Sequence, residues 1–561
     1  MADNLLDKAS ILLTPTAYND GSMLSVKPEN GDGDFTFSRG SAATRVNEQG
    51  LVENVQTISD ELVSNGNFSQ EGSELVTNGD FATDSDWTLT SGWSISNGKL
   101  IANNATSIAY QGISAQPNKS YKVTYTISDY TSGNVKFQFL GGSNSGTLRT
   151  AVGTYTEYIK LDASANGNFA FSRTQNFIGS IDNVSVKEVA QDWTLIGVDF
   201  SLGSVFFNAI TDTVLQTKSF TVGSKYRITF SGSGDLSYRT GFAGADSTKK
   251  SITLPHTVDI VATSDTNRIQ PYGAIDGSQG TLTSASVKEI TDDTDLPRID
   301  YTDGCGNWLL EGQSTNLYLN SETLLTQSNA TSASTYTVSF YGTGTITFSG
   351  THTGTLVGTG VNDRVSVTFT ATSGTLTSTI SGTCTKGQLE NLSYATSYIP
   401  TNGAIATRLA DVATNSGNAS LINSTEGVLY VECAALENGS SIKIIELNDG
   451  TSSNRVFVYL RNDRLTYEVK SNGITSAGGT YDNLGVLNFH KIAVKWKDND
   501  FALWLDGSKV LSDTSGSSPL ALDRINFTDP FGGIPFYGKC KALAVYKEVL
   551  TDAELQSLTT I

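Results

Sequence analysis

The chain has 561 residues, which is too long for a single hydrophobic core, so several domains are expected. Its formal net charge of −19 disfavours binding to nucleic acid or to an anionic membrane surface, because both are negatively charged. Four cysteines are too few for a disulfide scaffold, and because they contain no Cys-x-x-Cys pair, no zinc site is predicted.

The composition indicates short strands joined by turns. Only 17% of the residues are charged, and runs of Thr, Val, Tyr and Phe recur between Gly, Asn, Asp and Ser. This pattern predicts an all-β, multidomain chain of antiparallel β-sandwiches. The first residues lack a basic region, and no window reaches the ~18–20 apolar residues of a membrane span. We therefore expect no secretory leader and no membrane insertion.

Residues 1–58 are predicted to form an N-terminal attachment segment. Little regular structure is expected there, apart from strands within Ile11–Tyr18 and Gly33–Val46. Asp32 and Asp34 stand next to glycines, as acidic residues do in calcium loops. The third acidic ligand and the bidentate Glu of such a loop are missing, so a plain turn is expected.

A short sequence then occurs twice. Glu61–Phe68 (ELVSNGNF) is followed 13 residues later by Glu74–Phe81 (ELVTNGDF). This spacing is too short for a repeated domain, so the two copies are interpreted as a duplicated entry strand.

A longer repeat indicates tandem β modules. Two pairs of segments match at offsets of about 100 residues: Ser120–Tyr125 with Lys225–Phe230, and Val184–Val189 with Ala285–Ile290. Apolar and polar residues alternate in them, and turn residues recur about every 8–12 positions, as in antiparallel sandwiches. Jelly rolls are therefore predicted at residues 59–189 and 190–290.

The stretch Leu296–Leu317 separates these modules from the rest of the chain. Its dense glycines and short apolar run do not predict a helix, and Cys305 and Trp308 have no partner residues nearby for chemistry. We interpret residues 291–321 as a structural joint in which these two side chains pack. A third β-sandwich is predicted at residues 322–411.

Residues 420–561 predict a further sandwich. Its expected strands lie in three segments: Val428–Leu436, Asn454–Val469 and Phe489–Leu511. Thr551, with Glu554 three residues later, has the spacing of a capping box and begins the one segment that predicts a helix. Cys433 and Cys540 are expected on the first and last strands as neighbours, and a disulfide between them is left open.

Two regions resemble known domain families. Residues 73–189, through Asn78–Phe81, Trp87 and Trp93, resemble carbohydrate-binding-module-like jelly rolls. Residues 427–561 resemble laminin-G or concanavalin-A-like lectin domains, and this likeness rests on three segments: His490–Trp496, Leu503–Gly507 and Ala544–Leu555. These resemblances imply jelly rolls followed by a C-terminal concanavalin-A-like sandwich.

A third resemblance concerns Phe35–Val55, Leu296–Glu322 and Gln388–Arg408. These segments are similar to parts of tailed-bacteriophage virion proteins that serve as tail fibres or similar surface appendages. The resemblance implies a protein of the virion, assembled in the host cytoplasm, with other virion proteins as partners and a homo-oligomeric state, a trimer. In such relatives the first two segments stand close together, so residues 60–290 are interpreted as an insertion, and Leu296–Leu317 is expected to contact Phe35–Val55.

No enzyme is predicted. The three histidines, His256, His352 and His490, have no metal partner at i+2 or i+4, and neither a Gly-x-Ser-x-Gly motif nor a P-loop is present. The Glu-x-Asp-x-Glu strand of concanavalin-like hydrolases is also absent, and Glu446–Asp449 is the nearest fragment. Because any two carboxylates could serve a glycosidase, a polysaccharide depolymerase remains an alternative.

Carbohydrate binding needs an aromatic face and a few polar groups. The candidates are Trp504 and Tyr537 in the lectin-like part and Trp87 and Trp93 in the first jelly roll, with core packing as the competing role for each tryptophan. Asp506 is interpreted as a turn residue. No cofactor is expected; structural calcium is left open, with no ligand set. The sequence therefore predicts a tail fibre or receptor-binding adhesin that binds host-surface glycans, with a capsid-decorating head fibre as the alternative.

Overall fold

The computed structural model describes Leu5 and residues 7–239, 249–263 and 268–561. Its sheets are antiparallel, which confirms the predicted all-β class. Residues 1–57 with 292–561 form one compact unit, called here the framework unit, and residues 58–291 form a second, the jelly-roll unit. Parts of the predicted N-terminal segment and second jelly roll lie outside the described residues. Within those residues, no helix has the length and apolar character needed to cross a membrane.

The N-terminal segment has more regular structure than predicted. It contains β1 (Ile11–Leu13), β2 (Tyr18–Asn19), β3 (Ser22–Met23), β4 (Phe35–Ser38), β5 (Ala43–Val46) and β6 (Val52–Val55). Ile11 and Leu13 are fully buried because β1 pairs with a strand near the C-terminus, where Ile11 lies opposite Val545. The segment is therefore part of the C-terminal sandwich and not an appendage to it.

The jelly-roll unit contains two sandwiches with separate hydrophobic cores. Its first strands are β7 (Thr57–Ile58), β8 (Glu71–Glu74), β9 (Thr88–Leu89), β10 (Trp93–Ser96), β11 (Lys99–Ala105), β12 (Ala109–Gly112), β13 (Ser120–Ser132), β14 (Lys136–Phe139), β15 (Gly153–Lys160), β16 (Asn168–Ser172) and β17 (Phe177–Val189). Its later strands are β18 (Thr194–Ile196), β19 (Asp199–Ser201), β20 (Ser204–Phe207), β21 (Thr213–Thr217), β22 (Lys225–Arg239), β23 (Lys249–Thr253), β24 (His256–Val261), β25 (Arg268–Ile269), β26 (Tyr272–Gly273) and β27 (Gly280–Asp292).

The two copies of the repeated octapeptide belong to different sandwiches. In the second copy, Leu75 N–H donates to Val186 O of β17 at 3.0 Å. In the first copy, Leu62 N–H donates to Val287 O of β27 at 2.9 Å. Residues 59–68 therefore complete the sandwich of residues 190–291, and the sandwich of residues 71–189 is inserted within it. The predicted boundary at residue 59 is corrected accordingly.

This nesting gives a matched pair of predictions. A Cβ on Gly66 would clash with Ala285 O, and a Cβ on Gly79 would clash with Val184 O. We expect Gly66→Ala to destabilise only the sandwich that contains β27, and Gly79→Ala only the one that contains β17, each by about 1–3 kcal/mol. Hydrogen exchange in peptides from the two strands measures this. Faster exchange in β17 alone after Gly66→Ala would contradict the assignment.

The joint and the third sandwich follow. The joint contains β28 (Ile299–Asp300), β29 (Asn307–Leu310) and β30 (Ser314–Asn316). The sandwich contains β31 (Gln327–Thr331), β32 (Ser334–Gly342), β33 (Thr345–Gly350), β34 (Gly354–Val357), β35 (Gly360–Ala371), β36 (Gly374–Ser381) and β37 (Cys384–Glu390), and then come β38 (Ala406–Arg408) and β39 (Val412–Thr414). Its two sheets have the orders β31-β36-β33-β34 and β35-β32-β37.

The C-terminal sandwich also has two sheets. Its elements are β40 (Glu426–Ala435), β41 (Lys443–Asn448), β42 (Arg455–Arg461), β43 (Arg464–Ser471), β44 (Ile474–Asp482), β45 (His490–Lys497), β46 (Phe501–Leu505), β47 (Ser508–Asp513), β48 (Arg524–Asn526), β49 (Gly538–Tyr546) and α1 (Asp552–Thr559). One sheet has the order β44-β43-β42-β41-β48, and the other runs β28-β29-β49-β40-β45-β46-β47 with β1 on β49. The joint thus extends this second sheet. The predicted capping box of Thr551 and Glu554 is present at α1.

The structure places the joint against the N-terminal segment. Arg39 Nη2 donates to Leu296 O at 2.9 Å, and Tyr301 N–H donates to Val46 O at 3.0 Å. Trp308 is fully buried, as a packing residue of the joint should be, whereas Cys305 is exposed because it lies in the turn before β29.

Cys433 and Cys540 lie opposite each other on β40 and β49. Both are buried and both are free thiols. Burial raises the pKa of the Cys433 thiol to about 12, so it stays protonated at neutral pH.

Candidate functional site

The two jelly-roll tryptophans are core residues. Trp87 is 8% exposed and Trp93 is 7% exposed. Their indole N–H groups donate to the backbone oxygens of Asn78 and Ser107, each at 3.2 Å. Both rings pack in the core of the sandwich of residues 71–189, so neither offers an open face to a sugar.

Trp504 is also buried, for a reason that the alternation of its strand does not reveal. It points away from the core that contains Phe501, Leu503 and Leu505, as the pattern indicates. Helix α1 covers that opposite face: Leu555 and Leu558 pack in the same cluster as Trp504, which is only 6% exposed. Asp506 lies in the following turn and accepts hydrogen bonds from Lys491 N–H at 3.0 Å and from the His490 side chain at 2.7 Å.

Tyr537 is the predicted candidate that lies in a cavity. The cavity, here cavity 1, has a volume of about 550 Å³. Its walls come from the joint at Gly312, the loop after β37 at Tyr394, the loop before β41 at Glu437, and the start of β41 at Lys443. The Tyr537 ring packs directly over Gly312, where a Cβ would lie 2.9 Å from the ring. A glycine at this position thus lets the ring lie close to the joint.

A second cavity of about 310 Å³, cavity 2, adjoins the first. Tyr394 and Leu436 line both cavities, and the two cavities together are called the cleft below. Cavity 2 is bounded by the N-terminal segment at Arg45, the third sandwich at Arg364 and β49 at Lys539. All of these residues belong to the framework unit.

Two tyrosines provide hydroxyl groups to the cleft. Burial raises the pKa of Tyr394, and the negative charge of Glu311 raises it further. Burial likewise raises the pKa of Tyr537, with a smaller contribution from Asp411. Both phenols therefore stay protonated, and the described residues provide no hydrogen-bond partner for either one. Each can donate to a ligand.

Glu437 and Lys443 form a fixed polar wall of cavity 1. Glu437 accepts hydrogen bonds from Ser393 Oγ at 2.5 Å, Ser441 Oγ at 3.0 Å and Lys443 Nζ at 3.3 Å. Burial alone would raise the pKa of Glu437, but these donors outweigh it and lower the pKa. The carboxylate is therefore ionised and its position is fixed.

A buried ionic cluster supports the cleft. It consists of Arg39, Arg298, Arg408, Glu311 and Asp411, all nearly inaccessible to solvent. Arg39 pairs with Asp411 at 3.0 Å, and Arg298 pairs with Glu311 at 2.5 Å and also with Asp411. Burial alone would raise the pKa of Glu311, but Arg408 and Arg298 lower it to about 2.

The cluster links three segments that are far apart in the sequence: Phe35–Val55, Leu296–Glu322 and Gln388–Arg408. Arg39 comes from the first, Arg298 and Glu311 from the second, and Arg408 from the third. Glu311 also accepts a hydrogen bond from Ser397 N–H at 2.8 Å. Since Ser397 belongs to the same loop as Tyr394, the cluster fixes the loop that carries this tyrosine into the cleft.

The other side chains that were considered for catalysis or metal binding do not form a site in the cleft. Glu446, in the fragment nearest to a hydrolase strand, is fully buried and lines neither cavity of the cleft. The His352 ring stacks on the Phe369 ring with 3.9 Å between the ring centres, and the His256 ring lies 6.0 Å from the Tyr238 ring, also centre to centre. In the part of the chain that the structure describes, no group of three or more His, Cys, Asp or Glu side chains could hold a metal ion.

Sequence reasoning missed Tyr394, Glu437, Lys443 and Arg461. They lie in loops or at strand ends of two different sandwiches, so no local spacing links them. The one signal was Tyr394 itself, an aromatic residue in a loop rather than in an alternating strand.

Comparisons with known proteins assign no family. No family model matches the chain, and no curated protein does. The solved IT-sialidase CBM40 of Ruminococcus gnavus bound to alpha2,3 sialyllactose is 16% identical, with a TM-score of 0.23 over 26% of this chain and 93% of that one. The tandem CBM22 domains of Paenibacillus barcinonensis Xyn10C are 11% identical, with a TM-score of 0.16 over 39% of this chain and 98% of theirs.

Truncated AlyQ with CBM32 and alginate lyase domains is 10% identical, with a TM-score of 0.17 over 64% of this chain and 96% of that one. TM-scores this low establish neither a shared fold nor a shared ligand.

Proposed function

We propose that the chain is a structural, non-enzymatic protein of a bacteriophage particle, a tail fibre or receptor-binding adhesin that binds host-surface glycans. The cleft carries this proposal. In cavity 1 it combines two protonated phenols, which have no hydrogen-bond partner among the described residues, with the fixed carboxylate of Glu437 and the ammonium group of Lys443. Tyrosine rings pack on the apolar faces of sugars, while hydroxyl and charged groups bind sugar hydroxyls.

The virion setting rests on the three resembling segments, which meet at the buried ionic cluster beside the cleft. In this setting the partners are other virion proteins and further copies of the chain, arranged as a trimer. A single shallow sugar site binds weakly, and several sites on one particle raise the overall affinity without new contacts. Weak binding at each cleft is therefore sufficient for host attachment.

The acidic groups of the cleft support a non-enzymatic role. A glycosidase needs one carboxylic acid that donates a proton and one free carboxylate. Glu311 and Glu437 line the cleft, but both have lowered pKa values and are held by Arg, Ser or Lys donors. Asp300 accepts hydrogen bonds from Val46 N–H at 2.8 Å and Thr302 N–H at 2.9 Å. Neither glutamate has the raised pKa of a proton donor.

A glycan array probed with the full chain, followed by titration of the best ligand, tests the proposal. We expect Tyr537→Ala and Tyr394→Ala each to weaken binding about tenfold, because each removes a ring and a hydroxyl from the cleft. Tyr481→Ala is the matched control, since Tyr481 lies on β44 outside the cleft and is 38% exposed. Unchanged binding in the double variant of Tyr394 and Tyr537 would refute the proposal.

A further inference from the structure

Basic side chains outnumber acidic ones in the lining of the cleft, although acidic residues outnumber basic ones in the whole chain. The chain has 37 basic and 56 acidic residues, whereas the cleft has five basic and three acidic ones. The basic residues are Arg45, Arg364, Lys443, Arg461 and Lys539, and the acidic ones are Asp300, Glu311 and Glu437. A positively charged site on an acidic protein points to an anionic ligand.

Two of the three acidic groups are paired with basic side chains of the protein. Glu311 is bound by Arg298 and Arg408, which lie in the buried cluster and not in the cleft lining. Glu437 is bound by three side-chain donors, and Asp300 by two backbone N–H groups. The charge of Glu311 is therefore balanced by Arg298 and Arg408 and that of Glu437 by Lys443, whereas Asp300 keeps its charge and has both oxygens occupied by backbone N–H groups.

Two of the five basic groups are available to a ligand. Arg45 pairs with Glu53 at 2.8 Å and Lys539 pairs with Asp303 at 2.6 Å, so these two are engaged. Lys443 is engaged by Glu437, as described above. Arg364 and Arg461 have no carboxylate partner among the residues that the structure describes.

Arg364 is held in place without being neutralised. Its Nη2 donates to Ser339 Oγ at 2.8 Å, and its guanidinium lies 5.9 Å from the centre of the Tyr341 ring. Its Nε is buried and has no hydrogen-bond partner in the described part of the chain. Arg461, by contrast, is exposed at the end of β42 and lines cavity 1. The two guanidinium groups thus line different cavities of the cleft, which share Tyr394 and Leu436 in their walls.

We propose that the cleft selects acidic saccharides, whose carboxylate or sulfate groups pair with Arg364 and Arg461 while Tyr394 and Tyr537 contact the sugar rings. Guanidinium binds both anions with paired N–H donors, which a neutral hydroxyl cannot match. This inference rests on the proposed glycan-binding function and names its ligand class. The ligand is taken to be an oligosaccharide, since the two arginines line different cavities.

An array of matched pairs tests this inference. Each uronic, sialic or sulfated oligosaccharide is printed beside its methyl ester or desulfated form, and the full chain is applied. We expect at least one acidic member to bind about tenfold more tightly than its neutral partner. Preference for carboxylated or for sulfated members then identifies the anion. If no acidic member binds more tightly than its neutral form, the inference is refuted.

Variants separate this inference from the proposed function. Arg364→Gln and Arg461→Gln are each expected to weaken binding of the acidic ligand about fivefold and to leave its neutral form unchanged. Arg268→Gln is the control, because Arg268 is exposed in the jelly-roll unit. If binding depends on Tyr394 and Tyr537 but acidic and neutral ligands bind equally, glycan binding stands and acid selection fails. If binding depends on neither tyrosine, both fail.

Discussion

Replacing Arg298 by methionine is expected to lower the free energy of unfolding of the framework unit by about 3–5 kcal/mol. The side chain is fully buried and pairs with both Glu311 and Asp411. Its removal leaves two carboxylates in a low-dielectric site with Arg39 and Arg408 as their remaining cationic partners. Removal of one partner from a buried ionic cluster lowers the free energy of unfolding by far more than the intact pair contributes to it.

Chemical denaturation followed by hydrogen exchange in peptides from the two units measures this change. Exchange should rise in the peptides of Leu296–Leu317 and stay constant in the jelly-roll unit. Arg464→Gln is the control, because Arg464 forms an exposed pair with Asp482, and such pairs contribute about 0–1 kcal/mol. An Arg298→Met protein as stable as the parent would show that the cluster does not hold the joint.

The second large effect is a fall in the free energy of unfolding with rising pH, caused by Glu446. Burial raises the pKa of Glu446 from its ordinary value of 4.5 to about 8, and Arg455, at 3.6 Å, offsets this only in part. In the unfolded chain the carboxyl group loses its proton above about pH 4.5, whereas in the folded protein it keeps the proton up to about pH 8. Between these values the folded state binds more protons, so the free energy of unfolding falls as pH rises.

Each pKa unit corresponds to about 1.4 kcal/mol, so this group lowers the stability of the framework unit by on the order of 3–5 kcal/mol between pH 4.5 and 8. Glu446→Gln keeps the shape of the protonated group and removes its titration. The variant should match the parent near pH 4.5 and exceed it in stability at pH 8 to 9. Parallel stability profiles for the two proteins would show that Glu446 is not buried as described.

Strand patterns predict single elements of this chain well and their partners poorly. The alternation around Trp504 correctly indicates the face on which it lies, and Thr551 and Glu554 correctly indicate the start of α1. That α1 covers this same face is a tertiary contact, which no period along one strand can show. Trp504, which was predicted as a binding residue, is therefore a core residue.

The nesting of the two jelly rolls has a similar explanation. The two octapeptides are nearly identical, and so are the closing strands at Val184–Val189 and Ala285–Ile290. Either copy has the right residues to pair with either closing strand, so the sequence does not determine which pairing forms. In the structure the first copy pairs with the later strand.

The cleft was the least predictable feature. Tyr537 was predicted as a binding residue, but Tyr394, Glu437 and Lys443 come from distant segments that only the folded framework unit brings together. The buried ionic cluster that fixes the Tyr394 loop also draws on three separate segments. The ion pairs between these segments are tertiary contacts, which the sequence of any one segment does not show.

The most direct test of glycan binding at the cleft is hydrogen exchange of the full chain with and without the best ligand from the array. Binding at the cleft predicts slower exchange in three separate segments, residues 392–398, 436–443 and 533–539, and no change in the jelly-roll unit. Protection confined to residues 58–291, or absent from all three segments at saturating ligand, would contradict the assignment of the cleft as the glycan site.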